Sequence, residues 1–286
     1  MNAARALLIA AAERLAAAGV DSARVDARVL FAHVLGVSSS ELLMNSTDVD
    51  RRLSADVLER FDAAIARRAR REPVAYITGR KDFWNLTFDV GPGALIPRPE
   101  TELMIELAQH RFRDHDAVLN ALDLGTGSGC ILLTFLSIYP KAQGLGIDIS
   151  DEALSWARRN ARKFGVELRT MFRKNRWAEG ITGSFDVIFA NPPYIDDTDM
   201  AQLAPEVGGH EPHGALHGGT DGLDAYRELA PQIAARLNPG GFALVEVGLG
   251  QAAAVESLFA AHGLDARQTA RDLAGIPRNL VFQRPA

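Results

Sequence analysis

Two short stretches hold residue types that do chemistry only when a ligand faces them. The first is Asn191-Pro192-Pro193-Tyr194, which closes the apolar run Ile188-Phe189-Ala190. Two prolines fix φ and withdraw two backbone donors, so this segment can neither extend a sheet nor enter a helix interior. What remains is a stiff turn carrying one amide and one phenol. It is either a rigid strand terminator or a grip for something planar and polar. The second stretch is Asp123-Leu124-Gly125-Thr126-Gly127-Ser128-Gly129, followed by the helix-like run CILLTFLSIY. Glycines at a strand-to-helix turn let backbone pass close to a ligand at the helix N-terminus. About twenty residues on, the next strand candidate ends at Asp148, where a carboxylate can take ribose hydroxyls. Loop and acid together predict a nucleoside-bearing cofactor. The dinucleotide fingerprint does not fit, because the third glycine comes one residue early and position 130 is Cys. A P-loop is excluded by the absence of Gly-Lys-Ser/Thr.

For these groups to meet, strands must deliver them to one edge of a sheet. Strand candidates after about residue 115 are 117–124, 142–149, 167–172, 185–190, 242–247, 265–270 and 280–283. Helical patterns separate the first five, as parallel βαβ units require. The last two are joined by Gly275-Ile276-Pro277-Arg278, which permits an antiparallel hairpin. Before residue 75 the signals are helical. The opening MNAARALLIAAAERLAAAG is interrupted by Glu13 and Arg14, so it reads as an amphipathic helix ending at Gly19 and not as a signal peptide. A helix opening at Asp21-Ser22 should present Val25, Val29, Leu30 and Val34 and stop at Gly36. Ser38-x-x-Glu41 has capping-box spacing, and Ser54 can cap a longer helix with Leu53 and Leu58 as a hydrophobic staple, ended by Pro73. The run Ala66-Arg67-Arg68-Ala69-Arg70-Arg71 reads as solvated last turns of that helix, with RNA contact as the rival reading. Residues 81–90 read as a hairpin in which Phe83, Trp84 and Phe88 pack; a Pro-rich linker follows.

At 286 residues the chain suits one large domain and one small. The net charge of −5 gives no overall pull toward nucleic acid or an anionic membrane. Cys130 is the only cysteine, so no disulfide forms within the chain, which suits a reducing compartment. No stretch approaches the roughly 18 apolar residues of a spanning helix. A cytoplasmic location is expected.

Asp123-x-Gly-x-Gly-x-Gly resembles the first motif of class I S-adenosylmethionine-dependent methyltransferases, and a donor without phosphates explains why no lysine attends the loop. Asn191-Pro192-Pro193-Tyr194 is similar to the motif of enzymes that methylate planar sp² nitrogens, adenine amines or side-chain amides. Such a nitrogen is a poor nucleophile because its lone pair is delocalised. Paired acceptors, the Asn191 side-chain oxygen and the Pro192 carbonyl, would grip its N–H bonds and stabilise arriving positive charge. Tyr194 can stack on the planar group. Leu95-Ile96-Pro97-Arg98-Pro99-Glu100-Thr101-Glu102, Glu211-Pro212, Ala215-Leu216, Gly218-Gly219-x-Asp221-Gly222 and Gly275-Ile276-Pro277-Arg278 extend the likeness over nearly the whole chain. In order, these segments resemble the peptide-chain-release-factor glutamine methyltransferases, the HemK/PrmC family.

That resemblance implies an α/β fold, a seven-stranded Rossmann-like methyltransferase sheet with an antiparallel final strand, plus a small N-terminal helical bundle joined by a β-hairpin. It implies domains at 1–75 (helical, substrate recognition), 76–100 (hairpin linker) and 101–286 (methyltransferase). The cofactor would be S-adenosyl-L-methionine, leaving S-adenosyl-L-homocysteine, and the substrate the Gly-Gly-Gln glutamine of class I peptide chain release factors. Gly125, Thr126, Gly127, Ser128, Gly129, Asp148 and Asn191 would hold the cofactor, with Trp177 beside its adenine. Asn191, Pro192 and Tyr194 would be catalytic, and Pro193, Arg98 and Glu100 would join them at the substrate. One departure is visible: family members often carry a carboxylate before the tryptophan, and here Arg176 stands there. An adenine-N6 nucleic-acid methyltransferase is the alternative, without a basic groove to support it; a cofactor binder without catalysis has no use for paired acceptors. The reaction needs no metal, nucleic acid or membrane, so His210, His213 and His217 are read as loop residues. Arg278 either meets a substrate carbonyl or caps the last hairpin.

Overall fold

Register, more than any single strand, organises the larger part of this protein. The computed structural model describes residues 3–44 and 50–285. It divides into two units, one of Met1–Gly79 with Ala204–His210 and one of Arg80–Leu203 with Glu211–Ala286.

The first unit contains α1 (Ala3–Ala17), α2 (Ala23–Leu35), α3 (Ser39–Met44), α4 (Ala55–Ala69) and α5 (Val74–Thr78). Local signals end these helices as anticipated. Gly36 takes the left-handed conformation at φ +67° and donates back to the Ala32 and His33 carbonyls. The Ser38 N–H donates to Glu41 Oε2 at 2.7 Å while the Glu41 N–H donates to Ser38 Oγ at 3.1 Å, a closed capping box. Ser54 Oγ accepts from the Val57 N–H at 3.3 Å. Two apolar expectations fail: Val25 and Leu58 are exposed. On α2 the expected Leu30 and Val34 are buried, and Ala23, Ala27, Phe31, Ala32 and Asp26 join them. Asp26 can be buried because Arg68 donates to it at 2.7 Å. The arginine run is therefore not a solvated helix end. Arg68 also pairs with Glu206 at 2.8 Å, Arg71 pairs with the other Glu206 oxygen at 2.7 Å, and Arg67 pairs with Glu72. Charge spacing showed which residues were cationic; the two anionic partners of Arg68 lie 42 and 138 positions away.

The second unit opens with the hairpin β1 (Arg80–Phe83) and β2 (Leu86–Asp89), in which Phe83 and Phe88 are buried edge to face. After α6 (Leu103–Arg111) come β3 (Asn120–Leu124), α7 (Cys130–Ile138), β4 (Gln143–Asp148), α8 (Asp151–Lys163), β5 (Thr170–Lys174) and β6 (Phe185–Ala190). Next are α9 (Asp224–Arg236), β7 (Leu237–Glu246), α10 (Ala252–Ala260), β8 (Asp265–Arg271) and β9 (Pro277–Gln283). The seven strands run in the order β5-β4-β3-β6-β7-β9-β8, with β9 antiparallel to both neighbours. The third strand starts later than its sequence suggested, because Glu167–Arg169 is a 3₁₀ turn. The fifth starts earlier, at Leu237, where a bulge carries the pairing past Pro239 and two glycines. Among the described residues no helix is long and apolar enough to cross a membrane.

Candidate active site

Strand order reverses between β3 and β6: from β3 the chain moves to β4, and from β6 to β7 on the opposite side. Such a reversal opens a crevice at the carboxyl ends of the two strands. Register then decides what borders it. Leu124 pairs with both Ile147 and Ala190, Asp148 pairs with Lys174, and Ala190 pairs with Val245. The glycine loop, Asp148, the Asn175-Arg176-Trp177 segment and Asn191 therefore leave the sheet at one level. They border a cleft of about 670 Å³.

The glycine loop is tied down before any ligand arrives. The Gly125 and Thr126 N–H groups donate to the Ile147 carbonyl at 2.9 and 2.8 Å, and the Thr126 hydroxyl donates to Asp123 Oδ2 at 2.6 Å. Gly125, Gly127 and Gly129 all have positive φ, which glycine alone adopts without strain. A Cβ on Gly129 would lie 2.8 Å from Leu133 Cδ1, so helix packing is close there as well. Asp148 accepts from the Gly127 N–H through Oδ2 and from the Ser150 N–H through Oδ1, both at 2.9 Å. Asp148 itself lines the cleft. Burial raises the Asp148 pKa, against the lowering effect of those backbone N–H groups. Burial, together with the charge of Asp148, pushes Asp123 up to about 7.

Trp177 sits at φ +49°, a left-handed conformation that costs a bulky residue about 1–3 kcal/mol. Glu228 of α9 holds it there, accepting from the indole N–H at 3.0 Å. The same carboxylate takes Arg176 bidentately, through Nε at 2.9 Å and through Nη2. Glu228 lines the cleft as well, although it lies 52 positions from Arg176 in the chain. Sequence reading missed Glu228, and nothing in the spacing of α9 points to it.

Around Asn191-Pro192-Pro193-Tyr194 the backbone is packed by glycines. A Cβ on Gly218 would lie 2.7 Å from Tyr194 Cα, one on Gly222 would lie 2.4 Å from the Tyr194 carbonyl oxygen, and one on Gly248 would lie 3.0 Å from the Tyr194 ring. This accounts for the Gly-Gly-x-Asp-Gly segment: it is the floor of the turn. Gln251, another residue the sequence did not flag, donates from Nε2 to the Tyr194 carbonyl at 2.9 Å and to the Gly222 carbonyl at 3.2 Å. Asn191 donates from Nδ2 to Thr101 Oγ1 at 3.1 Å, which turns Oδ1 the other way. The Tyr194 phenol is held well above its usual range by burial and by the Glu246 charge, so it is no base.

Arg98 and Glu100 part company. Arg98 pairs at 2.5 Å with Glu211, a buried carboxylate whose other oxygen accepts from the Ile96 N–H at 3.0 Å. Glu100 is exposed. Arg278 donates to Asp272 at 3.0 Å inside the last hairpin. His217 pairs with Asp197 at 2.7 Å and its ring lies 5.0 Å from that of His213.

Comparison with known proteins agrees with this architecture. A family model described as the PrmC N-terminal domain matches residues 6–79, and one described as a methyltransferase domain matches residues 115–244. The chain is 46% identical to a release factor glutamine methyltransferase of Caulobacter vibrioides, over 93% of this chain and 91% of the relative. It is 44% identical to one of Cereibacter sphaeroides over the full length of both. Among solved structures, a methyltransferase from Pyrococcus furiosus has a TM-score of 0.56 at 19% identity, covering 77% of this chain and 99% of that one. The hMettl16 catalytic domain has a TM-score of 0.55 at 16% identity, covering 77% and 81%. These two likenesses concern the fold alone.

Proposed function

The chain belongs to the release factor glutamine methyltransferase family, and from that premise we propose that it methylates the side-chain amide nitrogen of the Gly-Gly-Gln glutamine in class I release factors, in the cytoplasm. The observation that carries this reading is the Asn191 amide, fixed with Nδ2 on Thr101 so that its oxygen is the group offered to the cleft. An acceptor there suits a substrate nitrogen bearing two hydrogens.

The cleft fits S-adenosylmethionine: a Cβ on Gly127 would meet nothing within 4 Å, so the loop leaves room for a ligand over it. When bound, that donor supplies an electrophilic methyl group on a sulfonium. Asp148 would take the ribose hydroxyls, and Trp177 with Glu228 would border the base. Asn191 Oδ1 and the Pro192 carbonyl would accept the two amide N–H bonds and aim the nitrogen lone pair at the methyl carbon. When methylation places positive charge on that nitrogen, Asn191 Oδ1 and the Pro192 carbonyl would stabilise it. The extra proton then leaves to water. Tyr194 stacks on the amide plane, and Pro192 and Pro193 keep the turn from relaxing.

Glutamate in place of the substrate glutamine sets oxygen against oxygen, which a hydrogen-bonding site rejects by about 10⁴-fold. Single-turnover transfer to release factor carrying Gln or Glu at that position is the test. Asn191→Ala should cost on the order of 10²–10³ in rate. Equal methylation of the Glu protein, or near wild-type speed in the alanine variant, would refute the grip.

A further inference from the structure

Behind the grip lies a buried carboxylate that the reaction as described does not use. Glu246 ends β7 in the otherwise apolar run ALVEV and is 2% exposed. Because Ala190 pairs with Val245, Glu246 stands beside Asn191, one strand over. The Thr101 hydroxyl donates to Glu246 Oε2 at 2.7 Å, and the Tyr194 hydroxyl donates to Oε1 at 3.4 Å. The Tyr226 hydroxyl fixes the backbone by donating to the Glu246 carbonyl at 2.9 Å. Thr101 is itself 2% exposed and is the residue that accepts from Asn191 Nδ2.

We infer that Thr101 and Glu246 are positioning residues forming a hydrogen-bond relay that sets which end of the Asn191 amide faces the substrate. The argument is one of hydrogen count. A threonine hydroxyl has a single hydrogen. An ionised Glu246 can only accept, so it takes that hydrogen and leaves Thr101 with lone pairs toward Asn191. Only the Nδ2 end of the amide can meet them, and Oδ1 must turn to the cleft. A Glu246 protonated on Oε2 reverses the chain through Thr101: it donates to Thr101, Thr101 donates to Oδ1, and Nδ2 turns to the cleft, while the Tyr194 hydroxyl still donates to Oε1. A donor there opposes the substrate N–H and repels the charge that arrives with the methyl group.

The surroundings place this reversal near neutrality. Burial pushes the Glu246 carboxyl up to about 7, against the lowering effect of the Thr101 and Tyr194 hydrogen bonds and the Arg278 charge, while Glu100 raises it further. Tyr226 of α9, Cys130 of α7 and Asn279, its ladder partner on β9, also stand near it. Transfer should therefore fall as pH drops through about 7.

This inference rests on the methyltransferase reading, and the experiment separates the two. Rates of methyl transfer to release factor are measured from pH 5.5 to 9 for wild type, Glu246→Gln, Thr101→Val and Thr101→Ser. Wild type should show a rising limb in kcat/KM near neutrality, the free-enzyme signature of an essential base form. Glu246→Gln, which still accepts from Thr101 but does not titrate, should lose that limb. Thr101→Val should lower kcat about 10- to 100-fold with KM little changed, since a misaimed group costs about that much, and Thr101→Ser should restore it. An unchanged limb in Glu246→Gln, or a fully active Thr101→Val, overturns the relay; if Glu246→Gln does not fold, the two Thr101 variants decide. A wild-type protein inactive on release factor removes the parent reading and the relay with it.

Discussion

Asp148 works twice at the scale of single residues. It organises the glycine loop through the Gly127 N–H, and its free lone pairs are the ones proposed for ribose. Replacing it with alanine removes both contributions. Charge-assisted hydrogen bonds of this kind contribute roughly 1–3 kcal/mol together, so Asp148→Ala should weaken methyl-donor binding about 5- to 150-fold. Titration calorimetry with S-adenosylhomocysteine reads this directly, and unchanged affinity would take Asp148 out of the site. Glu228 illustrates the same economy of carboxylates: one group neutralises Arg176 and anchors a strained tryptophan.

At the scale of elements, the turn after β6 is stiff for two separate reasons. Its prolines restrict it from within, and three glycines from two other loops press on it from beneath. The second cause is testable. A methyl group at Gly222 would collide with the Tyr194 carbonyl and would also sit on a residue at φ +71°. Gly222→Ala should lower kcat for methyl transfer at least about tenfold by shifting Tyr194, while donor affinity changes little. Gly263→Ala is the matched control, since it carries the same positive φ with nothing within 4 Å of the new Cβ. Its cost should be about 1 kcal/mol of stability and no loss of rate. Equal kinetic effects in both variants would mean that the glycine floor is only a conformational convenience.

For the whole molecule, carboxylates of opposite habit shape stability against pH. Glu206 is held below its ordinary 4.5: burial opposes this, and hydrogen bonds from Arg71 and Arg68 outweigh it. Its stabilisation is present above that value and is lost as pH falls through the lowered one. Glu246 acts in the other sense. Its folded pKa is raised from 4.5 to about 7, so stability present below 4.5 declines as pH rises to about 7 and then levels. At about 1.4 kcal/mol per unit the decline is on the order of 3 kcal/mol. Thermal unfolding followed from pH 4.5 to 8 should therefore show Glu246→Gln gaining on wild type up to about 7 and running parallel above it. A constant gap across the range would mean that Glu246 ionises as freely folded as unfolded.

Much of this protein was legible because the information is local. Asp123 to Gly129 and Asn191 to Tyr194 are contiguous, and glycine, proline and capping residues act within a few positions of themselves. Strand alternation after residue 115 and the closing hairpin were readable for the same reason, and Gly36, the Ser38–Glu41 box and Ser54 behaved as their types require. Glu246 left one local trace, a carboxylate inside an apolar strand, which was open to notice. What folding alone could settle were pairings across long separations: Arg68 with Asp26 and Glu206, Arg98 with Glu211, Arg176 and Trp177 with Glu228, and Asn191 with Thr101. A buried charge or amide is stable only where a partner meets it. Which partner that is depends on strand order and register, and these belong to the whole chain at once.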